Sequence, residues 1–222
     1  MSISAILPAF NEERTLPHTL ESLRKVSDIR EIIVVDDGSQ DGTYRIAREL
    51  ADHVIALPGN CGKGEAMKQG YQAAKGEILV FLDSDLGQTA SLAYELIQPV
   101  QLGSADMSIA IFPPAQKKSG FGLVKGLART GIKKLTGFQP VSPLSGQRAL
   151  TRQAADAVQQ WNVRFGIEVG MTIDVLRAGL RIVETPISFS HRESGRDLAG
   201  FIHRGRQMVD VGRMLKKKWS VP

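Results

Sequence analysis

The sequence predicts a single α/β domain with a mostly parallel central sheet and helices on both faces. Three observations carry that prediction. Strand-like and helix-like segments alternate across the first ninety residues, the pattern of a parallel sheet whose crossovers are helices. The run Ile78-Leu79-Val80-Phe81-Leu82 is apolar throughout, as expected of a strand buried on both faces. Carboxylates gather where strand-like runs end, at Asp36-Asp37 and at Asp83-Ser84-Asp85, and an open α/β sheet binds its ligands outside those ends.

Taken in order, residues 2–9 read as the first strand, with Pro8 ending its central hydrogen bonding. Phe10-Asn11-Glu12-Glu13 then leads into a helix with Leu16, Leu20 and Leu23 at spacings of four and three. Residues 31–35 form the second strand, and turn residues through Asp41-Gly42 lead to a helix over 43–50. A short strand over 53–57 precedes the glycine-rich loop Pro58-Gly59-Asn60-Cys61-Gly62-Lys63-Gly64 and a helix over 65–74. After the strand at Ile78 a helix is expected from near Thr89, then a strand over 106–111.

Within 122–136 a helix would align Val124, Leu127, Ala128 and Leu135, with Lys125, Arg129 and Lys133 recurring beside them. Such a helix suits either an anionic membrane surface or ordinary packing on the sheet. Residues 143–150 read as a strand interrupted at Ser145-Gly146-Gln147-Arg148. Phe165-Gly166-Ile167-Glu168 opens a helix to about 178 with Val169, Ile173 and Leu176 as apolar positions, and 181–190 forms the last strand. The terminal helix aligns Phe201, Met208, Val211, Leu215 and Trp219 opposite Arg206, Arg213 and Lys217. That face suits membrane contact, a homodimer, or packing against the domain.

A chain of 222 residues suffices for one substantial domain. Its single cysteine, Cys61, excludes an internal disulfide and a thiolate zinc cluster, and with no adjacent base it reads as a small loop residue. Without a signal peptide or a run long enough to span a bilayer, the expected location is the cytoplasm, with peripheral contact at the inner membrane face left open. The formal charge of +5 is unevenly spread. Residues 1–111 carry nine Lys/Arg and sixteen Asp/Glu, a balance of −7, while 112–222 carry nineteen and seven, a balance of +12. An acidic half able to collect a cation joins a basic half able to receive an anion. Nucleic acid is not expected, because at 6% aromatic content no base-stacking platform stands out.

Asp83 and Asp85, two apart on an extended chain, can face one point, a geometry that suits a hard divalent cation shared with phosphate oxygens. The competing reading is a strand end and helix cap. No G-x-G-x-x-G follows the first strand, and Gly59 to Gly64 does not match a nucleoside-triphosphatase phosphate loop. What remains is an ordered series: Pro8-Ala9-Phe10-Asn11-Glu12-Glu13, Val34-Val35-Asp36-Asp37-Gly38-Ser39 with Asp41-Gly42-Thr43, Gly62-Lys63-Gly64, and Asp83-Ser84-Asp85. In that order and approximate spacing the series resembles family 2 glycosyltransferases of the GT-A (Rossmann-like) fold, closely over 3–90 and loosely over 140–195.

The resemblance implies a UDP- or GDP-linked sugar as donor and Mg2+ or Mn2+ as cofactor. It puts Pro8, Ala9 and Glu12 at base and ribose, Asp37 at the base edge, Lys63 near base or diphosphate, and Asp83 with Ser84 at the ribose or a metal-bound water. Asp85 would hold the metal, with His191 as a further ligand or a structural histidine. Asp36 reads first as a turn cap, and Lys63 taken alone as a solvated loop lysine. Gly146 would approach sugar or acceptor with its backbone. Arg148, Arg192 and Arg196 would meet phosphate or another acceptor anion. Glu168 would take the acceptor's proton in an inverting displacement, or only position an acceptor that is already a phosphate; its plain alternative is an acid favoured near a helix start.

The expected organisation is a nucleotide-sugar half, 1–111, and an acceptor half, 112–222, ending in the basic helix. The dolichyl-phosphate mannose synthase-like and glucosyl-phosphoglycerate synthase-like branches of the family both fit an anionic acceptor. From a different class, a non-catalytic nucleotide-sugar binder or a basic membrane- or RNA-associated scaffold stays open.

Overall fold

A computed structural model of the chain describes residues 1–112, 122–161, 166–190 and 198–220, with backbone only for 198–204 and 206. The first half alternates as the sequence predicts: β1 Ile3–Ala9, α1 Leu16–Leu23, β2 Ile29–Asp36, α2 Thr43–Leu50, β3 His53–Ala56, α3 Lys63–Ala73 and β4 Ile78–Phe81. The helix expected from near Thr89 opens as a 3₁₀ turn over Gly87–Leu92 before α4, Ala93–Gln101. The second half supplies β5 Met107–Ile111, α5 Gly122–Thr136, β6 Arg148–Thr151, α6 Arg152–Asp156, α7 Ile167–Arg177, β7 Ile182–Pro186 and α8 Leu198–Trp219.

All seven strands join one sheet in the order β3-β2-β1-β4-β6-β5-β7. Only β6 runs antiparallel, inserted between β4 and β5. Three boundaries differ from expectation. Pro8 lies within β1 opposite Val35, since a proline deprives the ladder of one donor without disturbing its own carbonyl. The strand expected over 143–150 begins only at Arg148, because Ser145 N–H donates back to Ser142 O in a turn. Likewise β7 ends at Pro186 instead of 190, where a ladder donor is missing.

The sheet buries both faces, and β4 is buried at every position. Leu16, Leu20 and Leu23 of α1 and Leu96, Ile97 and Val100 of α4 cover one face. Met67 of α3 and Ile167, Met171 and Val175 of α7 cover the other, where Trp161 stacks on Tyr71 with ring centroids 5.0 Å apart. A third cluster lies outside α7, joining its Val169 and Ile173 to Val124, Ala128 and Ile132 of α5 and Val211 and Leu215 of α8. Hence α7 is buried on two sides, wider than the single stripe of Val169, Ile173 and Leu176.

Leu127, placed by periodicity on the buried face of α5, is exposed instead. Arg129 binds the carbonyls of Pro140 and Val141, fastening α5 to the loop after it. On α8, Val211 and Leu215 are buried as expected, whereas Met208 and Trp219 face solvent. Lys218 is fully buried and ion-paired with Asp174 of α7 at 2.5 Å.

Candidate active site

The ends of β1, β2 and β4 and the start of α3 surround a cavity of about 480 Å³. Pro8, Ala9, Phe10 and Glu12 line one wall; Asp37, Asn60, Gly62 and Lys63 line a second; Asp83, Ser84 and Asp85 form the floor. Every residue expected at the donor therefore converges here, drawn from three strand ends that the sheet order places side by side.

Each wall is fixed by identifiable bonds. Asn11 has φ +56°, a left-handed conformation that asparagine tolerates; its N–H donates to Ser39 Oγ and its Oδ1 accepts from Gln40 N. Glu12 N–H donates to Thr43 Oγ1 at 2.7 Å. These contacts bind the first motif to the second. Asp37 is buried and its carboxylate accepts the N–H groups of Cys61 and Gly62 at 2.7 and 2.9 Å. It clamps the glycine-rich loop while still facing the cavity, and a carboxylate has lone pairs left for a further donor. Asp36 accepts from Ser39 N–H, the turn cap read first from the sequence. Thr19 of α1 was not anticipated: its buried hydroxyl donates to Ser84 O and accepts from Gly87 N–H, fixing the Asp-Ser-Asp turn. Only its polarity on the apolar face of α1 marks it in the sequence.

The floor carries the densest charge. Lys63 Nζ lies 2.7 Å from Asp83 Oδ1 and 3.3 Å from Glu168 Oε1, so it is no solvated loop lysine. Burial lowers the lysine's pKa, but the two carboxylates outweigh that and raise it above its ordinary value, so the ammonium keeps its proton. Gln147 Nε2 donates to Asp83 Oδ2 at 2.8 Å; this residue, too, was not singled out from the sequence. Glu168 is buried in the first turn of α7 behind Gly166, whose φ is +122°, and a helix start favours its negative charge.

Gly146 makes a close approach, though to this ion pair: a Cβ there would sit 2.3 Å from Lys63 Nζ and about 3.1–3.2 Å from both Asp83 oxygens. Arg148 does not present a fork to an outside anion. Facing Phe81 and Ile109 across the sheet, it is fully buried, with Nε donating to Ser145 O and one terminal nitrogen to Thr172 Oγ1. Burial pushes the guanidinium pKa down to about 10 against the opposing charges of Glu168 and Glu184. Its role is to tie the 145–148 segment to α7. His191, Arg192 and Arg196 lie outside the described residues.

Among the described residues no group of three or more His, Cys, Asp or Glu gathers as a metal cage. Asp83 is engaged by Lys63 and Gln147, and Asp85 lines the same cavity, so a cation there would meet a carboxylate oxygen. A single hard oxygen ligand fits Mg2+ or Mn2+, which take one or two carboxylates and complete their shell with water and substrate phosphates.

A mostly parallel α/β sheet with this acidic turn beside its central strand defines the GT-A class of glycosyltransferase. Residues 4–160 match the description Glycosyl transferase family 2. The chain is 28% identical to glucosyl-3-phosphoglycerate synthase of Mycobacterium tuberculosis, over 97% of this chain and 71% of that protein. It is 29% identical to undecaprenyl-phosphate mannosyltransferase of Micrococcus luteus, over 99% of this chain and 97% of that one. A crystal structure of the M. tuberculosis synthase with Mn2+, UDP-glucose and phosphoglyceric acid matches with a TM-score of 0.80 at 27% identity, covering 100% of this chain and 80% of that one. The same synthase has also been solved with Mg2+ and UDP. The chain belongs to glycosyl transferase family 2. That membership agrees with the glycosyltransferase class its motifs implied.

Proposed function

We propose that this chain transfers a hexose, with UDP-glucose as first candidate donor, to an acceptor bearing a phosphate. The observation that carries the reading is the convergence of Asp85 with the Lys63–Asp83–Glu168 cluster on one cavity. Pro8, Ala9 and Glu12 would hold base and ribose, with Asp37 at the base edge. A cation held at Asp85 supplies Lewis-acid stabilisation of the departing diphosphate. Lys63, kept protonated by its two carboxylates, adds a fixed positive charge in a partly water-excluded pocket, where it acts more strongly than in bulk solvent. Glu168 holds that ammonium and faces the acceptor side; toward a phosphate acceptor it orients and needs to remove no proton. The 1–111 half would then serve the donor, and the +12 half the acceptor.

Two relatives support the acceptor class, one named for phosphoglycerate and one for undecaprenyl phosphate; a phosphate is common to both. The test is calorimetry and transfer assays with UDP-glucose and Mn2+, comparing phosphoglycerate with a polyprenyl phosphate. Asp85→Ala should abolish metal-dependent donor binding and turnover at an unchanged melting temperature. Full turnover in that variant would remove Asp85 from the reading.

A further inference from the structure

The layer formed by α5 and α8 has no part in the donor cavity, yet it carries an unusual outer surface. The two helices cross closely at Gly131, where a Cβ would lie 2.4 Å from Leu215 Cδ2. On either side of that seam apolar side chains stand in solvent: Leu123 is 78% exposed, Trp219 61%, Val209 50% and Met208 46%, with Leu127 less so. Leu123, Leu127 and Lys134, at intervals of four and seven, share one face of α5. Met208 and Trp219, eleven residues or three turns apart, share one face of α8. The face of α5 that meets Leu215 at Gly131 adjoins the first set, and the Leu215 side of α8 adjoins the second. Both sets therefore border the same outer groove.

Around them the charge has one sign. Lys134, on the Leu123 face of α5, and Lys216, beside the Met208–Trp219 face of α8, are exposed, whereas Arg213 and Lys217 lie on the opposite side of α8. The sequence of α5 holds no acidic residue, and that of α8 holds only Asp210, which is paired with Arg213 at 3.6 Å. Among the described residues no helix is long and apolar enough to cross a membrane. A face with exposed aliphatic residues, a terminal tryptophan and interspersed lysines fits the boundary between headgroups and acyl chains.

We propose that the outer α5–α8 face docks on a lipid bilayer carrying anionic headgroups, with Leu123, Met208, Val209 and Trp219 inserted and the exposed lysines at headgroup level. Charge decides against a second copy of the chain, because a two-fold contact would set this basic face against itself. Exposed aliphatic residues decide against RNA, which calls for stacking platforms. Since α8 packs on α7, whose first turn carries Glu168, docking would set the acceptor side of the cavity one helix layer from the membrane. The proposal goes beyond the donor reading and stands independently of it.

The test is co-sedimentation of the full chain with phosphatidylcholine vesicles, with and without about one third phosphatidylglycerol. Binding should require the anionic lipid and weaken with salt. Lys134→Glu/Lys216→Glu should reduce it at least tenfold, since each basic residue near such a surface contributes roughly fivefold. Leu123→Ser/Trp219→Ser should reduce it about tenfold at unchanged salt. Both variants should keep wild-type donor hydrolysis in solution and wild-type melting, their side chains being exposed and outside the cavity. Three results would overturn the proposal: no sedimentation at low salt, wild-type binding by the Leu123/Trp219 variant, or light scattering that shows a dimer abolished by the same substitutions without vesicle binding. Loss of donor hydrolysis at Asp85→Ala bears only on the donor reading, so the two fail separately.

Discussion

The tightest joint of the active site is Gly146 against the Lys63–Asp83 pair, and a single methyl group tests it. In Gly146→Ala the new Cβ would lie 2.3 Å from Lys63 Nζ, whereas ordinary contact begins near 3.4 Å. The ammonium must therefore retreat by about 1 Å. Asp83 cannot follow, since the same methyl would stand 3.1–3.2 Å from its oxygens and Gln147 holds its far side. The 2.7 Å bond to Asp83 is then lengthened and weakened, because the ammonium is displaced sideways from the oxygen it meets. A hydrogen bond involving charged groups contributes about 1.5–3 kcal/mol when lost outright, so its weakening should lower donor affinity or kcat/KM by roughly tenfold, and by at most about a hundredfold. Because Lys63 and Asp83 are each near one third exposed, stability should hardly change. UDP-glucose calorimetry with Mn2+, a transfer rate and a thermal melt form the assay. Gly126→Ala is the control: its Cβ meets nothing within 4 Å, so activity should stay and stability rise by up to about 1 kcal/mol. Wild-type donor affinity and turnover in Gly146→Ala would refute the claim that this ion pair shapes the site.

Two further predictions concern the frame around it. Lys218→Met strands the buried Asp174 carboxylate, which otherwise meets Lys218 Nζ at 2.5 and 2.7 Å. Breaking one partner of such a pair costs about 3–5 kcal/mol, and an apolar replacement of both restores much of it; denaturant unfolding of Lys218→Met and of Lys218→Met/Asp174→Leu checks this, and a loss below about 1 kcal/mol would contradict it. Asp52 is opposed by burial, but a two-pronged bond from Arg24 and the Ile32 N–H together hold its pKa below the usual carboxylate value. A depressed folded pKa gives stability that is present above the unfolded value of 3.8 and lost as pH falls through the folded one. Asp52→Asn should flatten stability against pH below about 4, and an unchanged acid limb in chemical denaturation would count against the assignment.

Local patterns made much of this molecule legible. Leu16, Leu20 and Leu23 repeat at helical spacing and are all buried, and the five-residue apolar run at Ile78 yields a strand buried at each position. The donor motifs were legible for a similar reason: each sits at a strand's carboxyl end, and strand ends follow from composition and turns. What eluded the sequence was contact between distant segments. Leu127 and Trp219 satisfy a helical face by periodicity but lie beyond the reach of a neighbouring helix, so they are exposed. Lys218, which pattern would leave in solvent, is buried because α7 offers Asp174 across the helix interface.

The clearest case is Arg148, and it explains how the two halves become one site. An arginine two residues after a glycine, in a strand read as interrupted there, suggests an anion ligand. The sheet instead places β6 antiparallel between β4 and β5, so the guanidinium has no route to solvent and turns to Ser145 O and Thr172. Thr172 in turn donates to Glu168 O. This chain of bonds fixes where α7 starts relative to the turn at Gly146, and thereby sets Glu168 3.3 Å from Lys63. Lys63 and Glu168 lie 105 positions apart, with Asp83 between them, and none of the three identifies the others. The reversal of chain direction at β6 brings them together, and hydrophobic periodicity reports whether a segment is a strand without reporting which neighbour it will pair with.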